Sequence, residues 1–352
     1  MLNRILSGDA PRSRVLTAVL IAIVAGLALA PFVFPGAKPL NVAAKICIFI
    51  VLVASYDLLL GYTGIVSFAH TMFFGIGAYG VAIALTRLGP SWAAVGAGIA
   101  AALALSFGLS LLIGLFSLRV KAIFYAMITL AVASAFQTLA SQLSEITGGE
   151  DGLNFKVPEM LSPGFSLAEQ PFLGVSLDGK LISYYLLFAV TVALFLIMLR
   201  IVNSPFGRVL QAIRENAFRA EALGYRTVVY RTASNVLSAG FATLAGALLA
   251  LWLRYNGPDT SLSFEIMIDI LLMVVIGGMG TLYGSVIGAT LFIIAQNYLQ
   301  DLMQIASDGA AGIPLVPDLV HPDRWLLWLG ILFILSVYYF PTGIVGKLRD
   351  KK

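Results

Sequence analysis

The sequence predicts an all-α integral membrane protein of about ten transmembrane helices, a single domain over 1–352 with both termini cytoplasmic. Three observations predict it. Hydrophobic residues make up 59% of the 352 and charged ones 11%, where a soluble domain carries about 25% charged residues, and the mean hydropathy is +0.94. The apolar residues fall in unbroken runs of about 20, the length that crosses a hydrocarbon layer as a helix, rather than in the ten-residue alternation of a membrane barrel. Of the 22 Lys and Arg residues, 15 lie in four clusters that ten alternating spans put on one side. The positive-inside rule makes that side the cytoplasm.

The first run, 15–34, follows Arg4, Arg12 and Arg14 and contains Ala28-Leu29-Ala30, so a cleaved signal peptide is an alternative to a retained helix. Pro31 and the apolar Phe32, Val33 and Phe34 that prolong the run favour the retained helix. The second run, 41–60, holds the single cysteine, Cys47, so neither a disulfide nor a cysteine metal cluster is available. Runs three and four, 64–86 and 91–118, lead to the basic pair Arg119 and Lys121, then to run five, 122–142. The segment 143–180 is an acidic outer loop, with Glu145, Glu150, Asp151, Glu159, Glu169 and Asp178 against Lys156 and Lys180. Run six, 181–201, brings the chain back to the basic side, where 203–231 carries Arg208, Arg214, Arg219, Arg226 and Arg231. Runs seven to ten are 232–254, 262–283, 285–304 and 325–341, and Lys347, Arg349, Lys351 and Lys352 follow on the same side.

Enzyme chemistry lacks its usual spacings. His70 and His321 are far apart, and no H-E-x-x-H, C-x-x-C or G-x-S-x-G occurs. Ser67 and His70 can share a helix face, a pairing read as helix packing rather than as a nucleophile and its base. No catalytic residue, metal ligand or resident cofactor is expected. The net charge of +4 tracks the membrane sides and implies no nucleic acid. Segments between spans reach only about 40 residues, short of the 50–200 of a nucleotide-hydrolysing domain, and G-x-x-x-x-G-K-[ST] is absent. Uphill transport would need an ion gradient or a separate ATPase.

The inner segment SPFGRVLQAIRENAFRAEALGYR, residues 204–226, opens with Ser204 as cap and Pro205 in the first turn. One amphipathic helix is predicted, with Phe206, Leu210, Ile213, Ala217 and Ala220 on one face and Arg208, Gln211, Glu215 and Arg219 on the other, ended by Gly224. Such a helix between two spans can transmit a partner's movement, or it can rest on anionic headgroups. Ionisable groups inside the membrane are few: Lys45 near the outer end of its run can snorkel, Asp57 lies about one turn from the inner end, and Glu265 lies near the outer end of run eight. Only Asp269 is deep, with no basic partner expected in a span. It is read as structural or pathway-lining rather than as a proton relay.

Four stretches resemble the LivM-type permease subunits of bacterial branched-chain amino acid ABC importers. These are GYTGIVSFAHTMFFGIGAYG (61–80), TGGEDG (147–152), the segment 204–226 and GGMGTLYGSVIGA (277–289), in the family's order. The resemblance implies a chain that works with a second, related permease, two cytoplasmic ATPases that use ATP and Mg, and a periplasmic binding protein, all at the bacterial inner membrane. It implies that Arg208, Arg214, Glu215, Glu221, Ala222 and Gly224 couple to an ATPase. It further implies that Thr147, Gly148, Gly149, Asp151 and Gly152 form the periplasmic docking element. GLNFKVPEM after TGGEDG departs from the family's pattern, which leaves urea, an amide or an organic acid as alternatives to a branched-chain amino acid.

GGMGTLYGSVIGA also approaches a dinucleotide fingerprint, yet no acidic ribose partner follows before Asp301. Gly280, Gly284 and Gly288 are read instead as close helix packing, with Gly277 and Gly278 supplying a bend. On that reading alanine is tolerated at Gly280 and Gly284 and leucine is not. Gly61 and Gly64 interrupt the first half in a comparable way, and interrupted segments in two halves point to a solute pathway. The pathway and bend residues expected are therefore Asp57, Gly61, Gly64, Ser67, Asp269, Gly277, Gly278, Gly280, Thr281 and Gly284. An ion-coupled carrier built on Asp57 and Asp269 is the second function class.

Overall fold

A computed structural model describes residues 13–34, 36–117, 122–166, 177–309, 321–340 and 342–350. Arg4, Arg12, Arg119, Lys121, Glu169, Lys351 and Lys352, named above for their charge, lie outside the described residues. The helices are α1 (Arg14–Val33), α2 (Ala37–Thr63), α3 (His70–Leu88), α4 (Trp92–Ser117), α5 (Ala122–Gln142), α6 (Gly179–Val202), α7 (Pro205–Glu215), α8 (Ala217–Ala222), α9 (Thr227–Leu253), α10 (Phe264–Gly277), α11 (Leu282–Gly309), α12 (Trp325–Tyr339) and α13 (Gly343–Asp350). Ten of the described segments are long and apolar enough to cross a membrane.

Helix α2 is buried on every face from Val42 to Thr63, although it carries Lys45 and Asp57. A helix of that pattern belongs at the centre of a bundle. The neighbours close on it through small and polar residues, because lipid supplies no hydrophobic drive between helices. Ser234 and Ser238 of α9 donate to the Leu58 and Ser55 carbonyls of α2 (3.2 and 2.5 Å). Thr243 donates to Ser106 Oγ (2.6 Å), and Asn235 to the Ser110 carbonyl (2.9 Å), tying α9 to α4. Helices α3 and α9 cross with backbone on backbone at Gly77 and Gly246.

Two ends of the bundle can be told apart by what they carry. At one end the loop from 143 joins the α9–α10 linker through a two-stranded antiparallel ladder, β1 (Leu153–Asn154) on β2 (Tyr255–Asn256). At the other end lie α7 and α8, capped by Ser204 and Asn216 side chains that accept the Gly207 and Arg219 N–H groups.

Several sequence expectations need correction. Run three does not begin at 64: α2 continues to Thr63, residues 64–69 are non-helical, and α3 starts at His70. Run eight does not continue to 283, since α10 stops at Gly277 and Gly278 to Thr281 form a turn before α11. Run seven starts earlier, at Thr227. The inner segment is two helices rather than one, because Asn216 adopts φ −159° and ψ 97°, breaks α7 and caps α8. At Gly64, Gly278 and Asn216 glycine conformations and a polar cap decide, and apolarity is blind to them.

Candidate functional site

A cavity of about 1000 Å³ opens at the ladder end between α2, α3, α6, α9, α10 and α11. Its apolar wall is Ile48, Phe49, Phe74, Leu249, Trp252 and Ile266. Arg254, in a left-handed C-cap conformation after α9 (φ 58°), holds the rim by donating to the Leu161 carbonyl (3.2 Å). Deeper in, Lys45 of α2 donates to Gln296 Oε1 of α11 (2.9 Å), and Gln296 Nε2 donates to Asp269 Oδ2 of α10 (3.3 Å). Lys45 thus does not snorkel outward, and Asp269 does have a basic group in its own neighbourhood, contrary to the sequence expectation. The helix packing turns Lys45 inward across a distance in sequence that a run-by-run reading cannot bridge.

A second cluster sits at the other end of the same helices. The Gly280 N–H donates to Asp57 Oδ1 (2.8 Å), and Arg214 of α7 donates to the Gly61 carbonyl. Asp57 is fully buried. Gly61 admits no side chain, since a Cβ there would lie 2.6 Å from Asp57 Cγ and overlap the Gly280 nitrogen. The two glycine-broken stretches of the sequence therefore meet here, and α7 grips the meeting point.

Both clusters ride on α2 and α10. Lys45 and Asp57 are about 18 Å apart along α2, and Asp269 and Gly277 about 12 Å apart along α10, at 1.5 Å per residue. A displacement of α7 has a stiff route to the cavity.

The family described as branched-chain amino acid transport system / permease component matches residues 38–337. The chain belongs to this family. It is similar to the high-affinity branched-chain amino acid transport system permease protein LivM of Salmonella typhimurium, 26% identical over 88% of this chain and 71% of that one, and to LivM of Escherichia coli with the same figures. It is 25% identical to BraD of Pseudomonas aeruginosa over 84% of this chain and 91% of that one. No solved structure matches. The chain is thus a LivM-type, multi-span membrane permease of the ABC-transporter class.

Within this permease the expected site residues separate into groups. Only Asp269 of the pathway set lines the cavity; Asp57, Gly61, Gly64, Gly277, Gly278, Gly280, Thr281 and Gly284 belong to the α7-end junction. Gly284 and Gly288 pack on α10, where a Cβ at Gly284 would lie 2.9 Å from Gly277 C and one at Gly288 3.0 Å from Met273 C. Gly280 is not in that helix face: it lies in the turn, with φ +83°. Ser67 is buried and its Oγ accepts the Ala69 N–H (3.4 Å), while His70 Nε2 lies 2.8 Å from Ser55 Oγ, so no Ser67–His70 pair forms.

The residues expected to couple, Arg208, Arg214, Glu215, Glu221, Ala222 and Gly224, are all exposed, and Glu221 accepts a hydrogen bond from Thr227 Oγ1 (2.5 Å). Four of the docking residues serve the loop itself. Thr147 Oγ1 lies 2.6 Å from the Ala140 carbonyl and 2.7 Å from that of Leu143. Gly148 and Gly149 shape the turn, and a Cβ at Gly152 would lie 2.8 Å from Gly257 Cα. Asp151 alone of the five is exposed. Trp252, Arg254 and Gln296 are not singled out by sequence, and Lys45 is read there only as a snorkelling residue: a lysine near a helix end reads as an anchor, and an uncharged glutamine carries no signal.

Proposed function

We propose that this permease is the membrane subunit of an ATP-driven importer in the bacterial inner membrane, passing a branched-chain amino acid handed over by a periplasmic binding protein. It works beside a second, related permease in the lipid bilayer and on two cytoplasmic ATPases, which bind the ATP and Mg that this chain does not. The observation that carries the reading is the route just described, in which Arg214 of α7 holds the junction from which α2 and α10 run to the cavity. The α7–α8 surface suits a protein partner. Phe218 and Leu223 are 82% and 73% exposed on a surface where the exposed acids Glu215 and Glu221 alternate with Arg208, Arg214 and Arg219, a mixed-charge apolar face of the kind a protein partner covers. The amino acid class rests on the names of the relatives.

The test is uptake and ATP hydrolysis by the co-purified complex in proteoliposomes with loaded binding protein. Glu221→Lys and Gly224→Trp are expected to retain hydrolysis and lose most of the uptake. Gly224 has φ +92° with open space around a Cβ, so its cost is local. Normal uptake by both variants would return α7 and α8 to a lipid-resting role, and uptake that stops when the ion gradient is collapsed at constant ATP would favour an ion-coupled carrier.

Orientation is tested separately. With Cys47 replaced by serine, Ser166→Cys is expected to react with an impermeant thiol reagent on spheroplasts and Ala217→Cys to be protected. The reverse pattern overturns the cytoplasmic placement of α7.

A further inference from the structure

The cavity floor has a composition that transport alone does not require. Charged side chains inside a membrane protein are costly and mark function, and here two opposite charges converge on one neutral amide rather than on each other. Gln296 offers its oxygen to Lys45 and its nitrogen to Asp269. An acceptor beside a donor, facing an ammonium on one side and a carboxylate on the other, is the pattern that the carboxylate and ammonium of a free α-amino acid would present. We infer that Lys45 and Asp269 bind the zwitterionic backbone of the transported amino acid inside the membrane, Lys45 its carboxylate and Asp269 its ammonium, with Gln296 holding their places when no substrate is bound.

Charge-assisted hydrogen bonds are about twice as strong as those to a neutral amide, so a zwitterion has the means to displace Gln296 from both partners. Lys45 also lies 5.7 Å from the centre of the Phe49 ring, which limits where its ammonium can turn. The lining charge fits a neutral solute. Four cations, Lys38, Lys45, Lys180 and Arg254, face three acids, Asp259, Glu265 and Asp269, and Lys38 is further paired with Asp301. A site for an organic acid would carry an excess of cations, and one for urea would have no use for a separated charge pair. Ile48, Phe49, Phe74, Leu249, Trp252 and Ile266 provide the apolar surface for a branched side chain. About 1000 Å³ is the upper end of small-molecule pockets, room for the solute with water.

This site rests on the amino acid reading of the permease, and the experiment separates the two. If the co-purified wild-type complex with its binding protein takes up no leucine, isoleucine or valine, the transport reading fails and takes the site with it. With wild-type leucine uptake established, Lys45→Met and Asp269→Asn are each expected to lower it by about tenfold or more, as loss of a charge-assisted contact does. Stimulation of ATP hydrolysis by the loaded binding protein is expected to persist within about twofold, since these residues sit far from α7. Asp269→Glu is expected to recover most of the uptake. Near-wild-type uptake in both neutral variants overturns the site. So does a parallel fall in uptake and stimulated hydrolysis, which would mean that the pair only holds the bundle together.

Discussion

Leucine at Gly77 or Gly246 is expected to leave no detergent-stable protein, and alanine at either to cost about 3 kcal/mol, the top of the usual overpacking range. The reason is the identity of the obstructing atoms. A Cβ on Gly77 would lie 2.7 Å from the Thr243 carbonyl carbon and 2.9 Å from its Cα, and one on Gly246 would lie 2.8 Å from the Phe74 carbonyl carbon and 3.0 Å from the Ala78 nitrogen. All are backbone, so no rotamer change relieves the overlap. Relief requires α3 and α9 to separate, which would pull Thr243 from Ser106 and Ser238 from Ser55. Gly96 and Gly108 of α4 are the internal controls, having nothing within 4 Å of a built Cβ. Alanine there is expected to be neutral or to stabilise by up to about 1 kcal/mol through helix propensity. Thermal unfolding of the solubilised permease compares the four alanine variants. Equal midpoints for Gly246→Ala and Gly96→Ala would show that the crossing is looser than described.

The legible part of the fold is the part that lipid dictates. A span must satisfy its backbone within one helix and must be about 20 residues long, and both demands leave apolar runs that anyone can mark. Where the protein rather than lipid is the surroundings, that signal fails. Gly64 and Gly278 each end a helix among neighbours that satisfy the freed backbone, so the apolar run carries on through residues 64–69 and 278–281 although the helix does not. Nothing in the amphipathic spacing marks Asn216, yet its side chain caps α8. The site was half visible for a related reason. Asp269 announces itself as a charge in a span, but Gln296 and the inward aim of Lys45 follow only from how α2, α10 and α11 pack, and the contact from Asp57 to Gly280 closes 223 residues of chain.

That contact makes the α7-end junction the place where the structure departs most sharply from what the glycine spacing suggests. Gly280→Ala, expected from the sequence to be harmless, is expected from the structure to abolish uptake. At φ +83° an L side chain is strained, by about 1–2 kcal/mol for the left-handed region, and the new Cβ would lie 2.6 Å from Arg214 Nη1 and 3.0 Å from the Gly61 carbonyl oxygen. The arginine is the group that must move, and its hydrogen bond to the Gly61 carbonyl ties α7 into this junction. Asp57→Ala acts from the other side, stranding the Gly280 N–H at a cost of about 1–3 kcal/mol, whereas Asp57→Asn keeps an acceptor and is milder. The decisive measurement pairs the charges. Arg214 is exposed and forms no ion pair with Asp57, but its guanidinium reaches the Gly61 carbonyl beside that buried carboxylate, so Arg214→Ala alone removes a favourable nearby charge, an effect of about 1 kcal/mol or less for an exposed partner. Adding Asp57→Asn removes the carboxylate that felt it. The double variant is therefore expected to be no less stable than Arg214→Ala alone, with a coupling energy of about 0.5–1 kcal/mol, while uptake stays lost because α7 no longer holds the Gly61 carbonyl. Strict additivity of the two substitutions in unfolding, or normal uptake by Arg214→Ala, would show that α7 moves the bundle through some other contact.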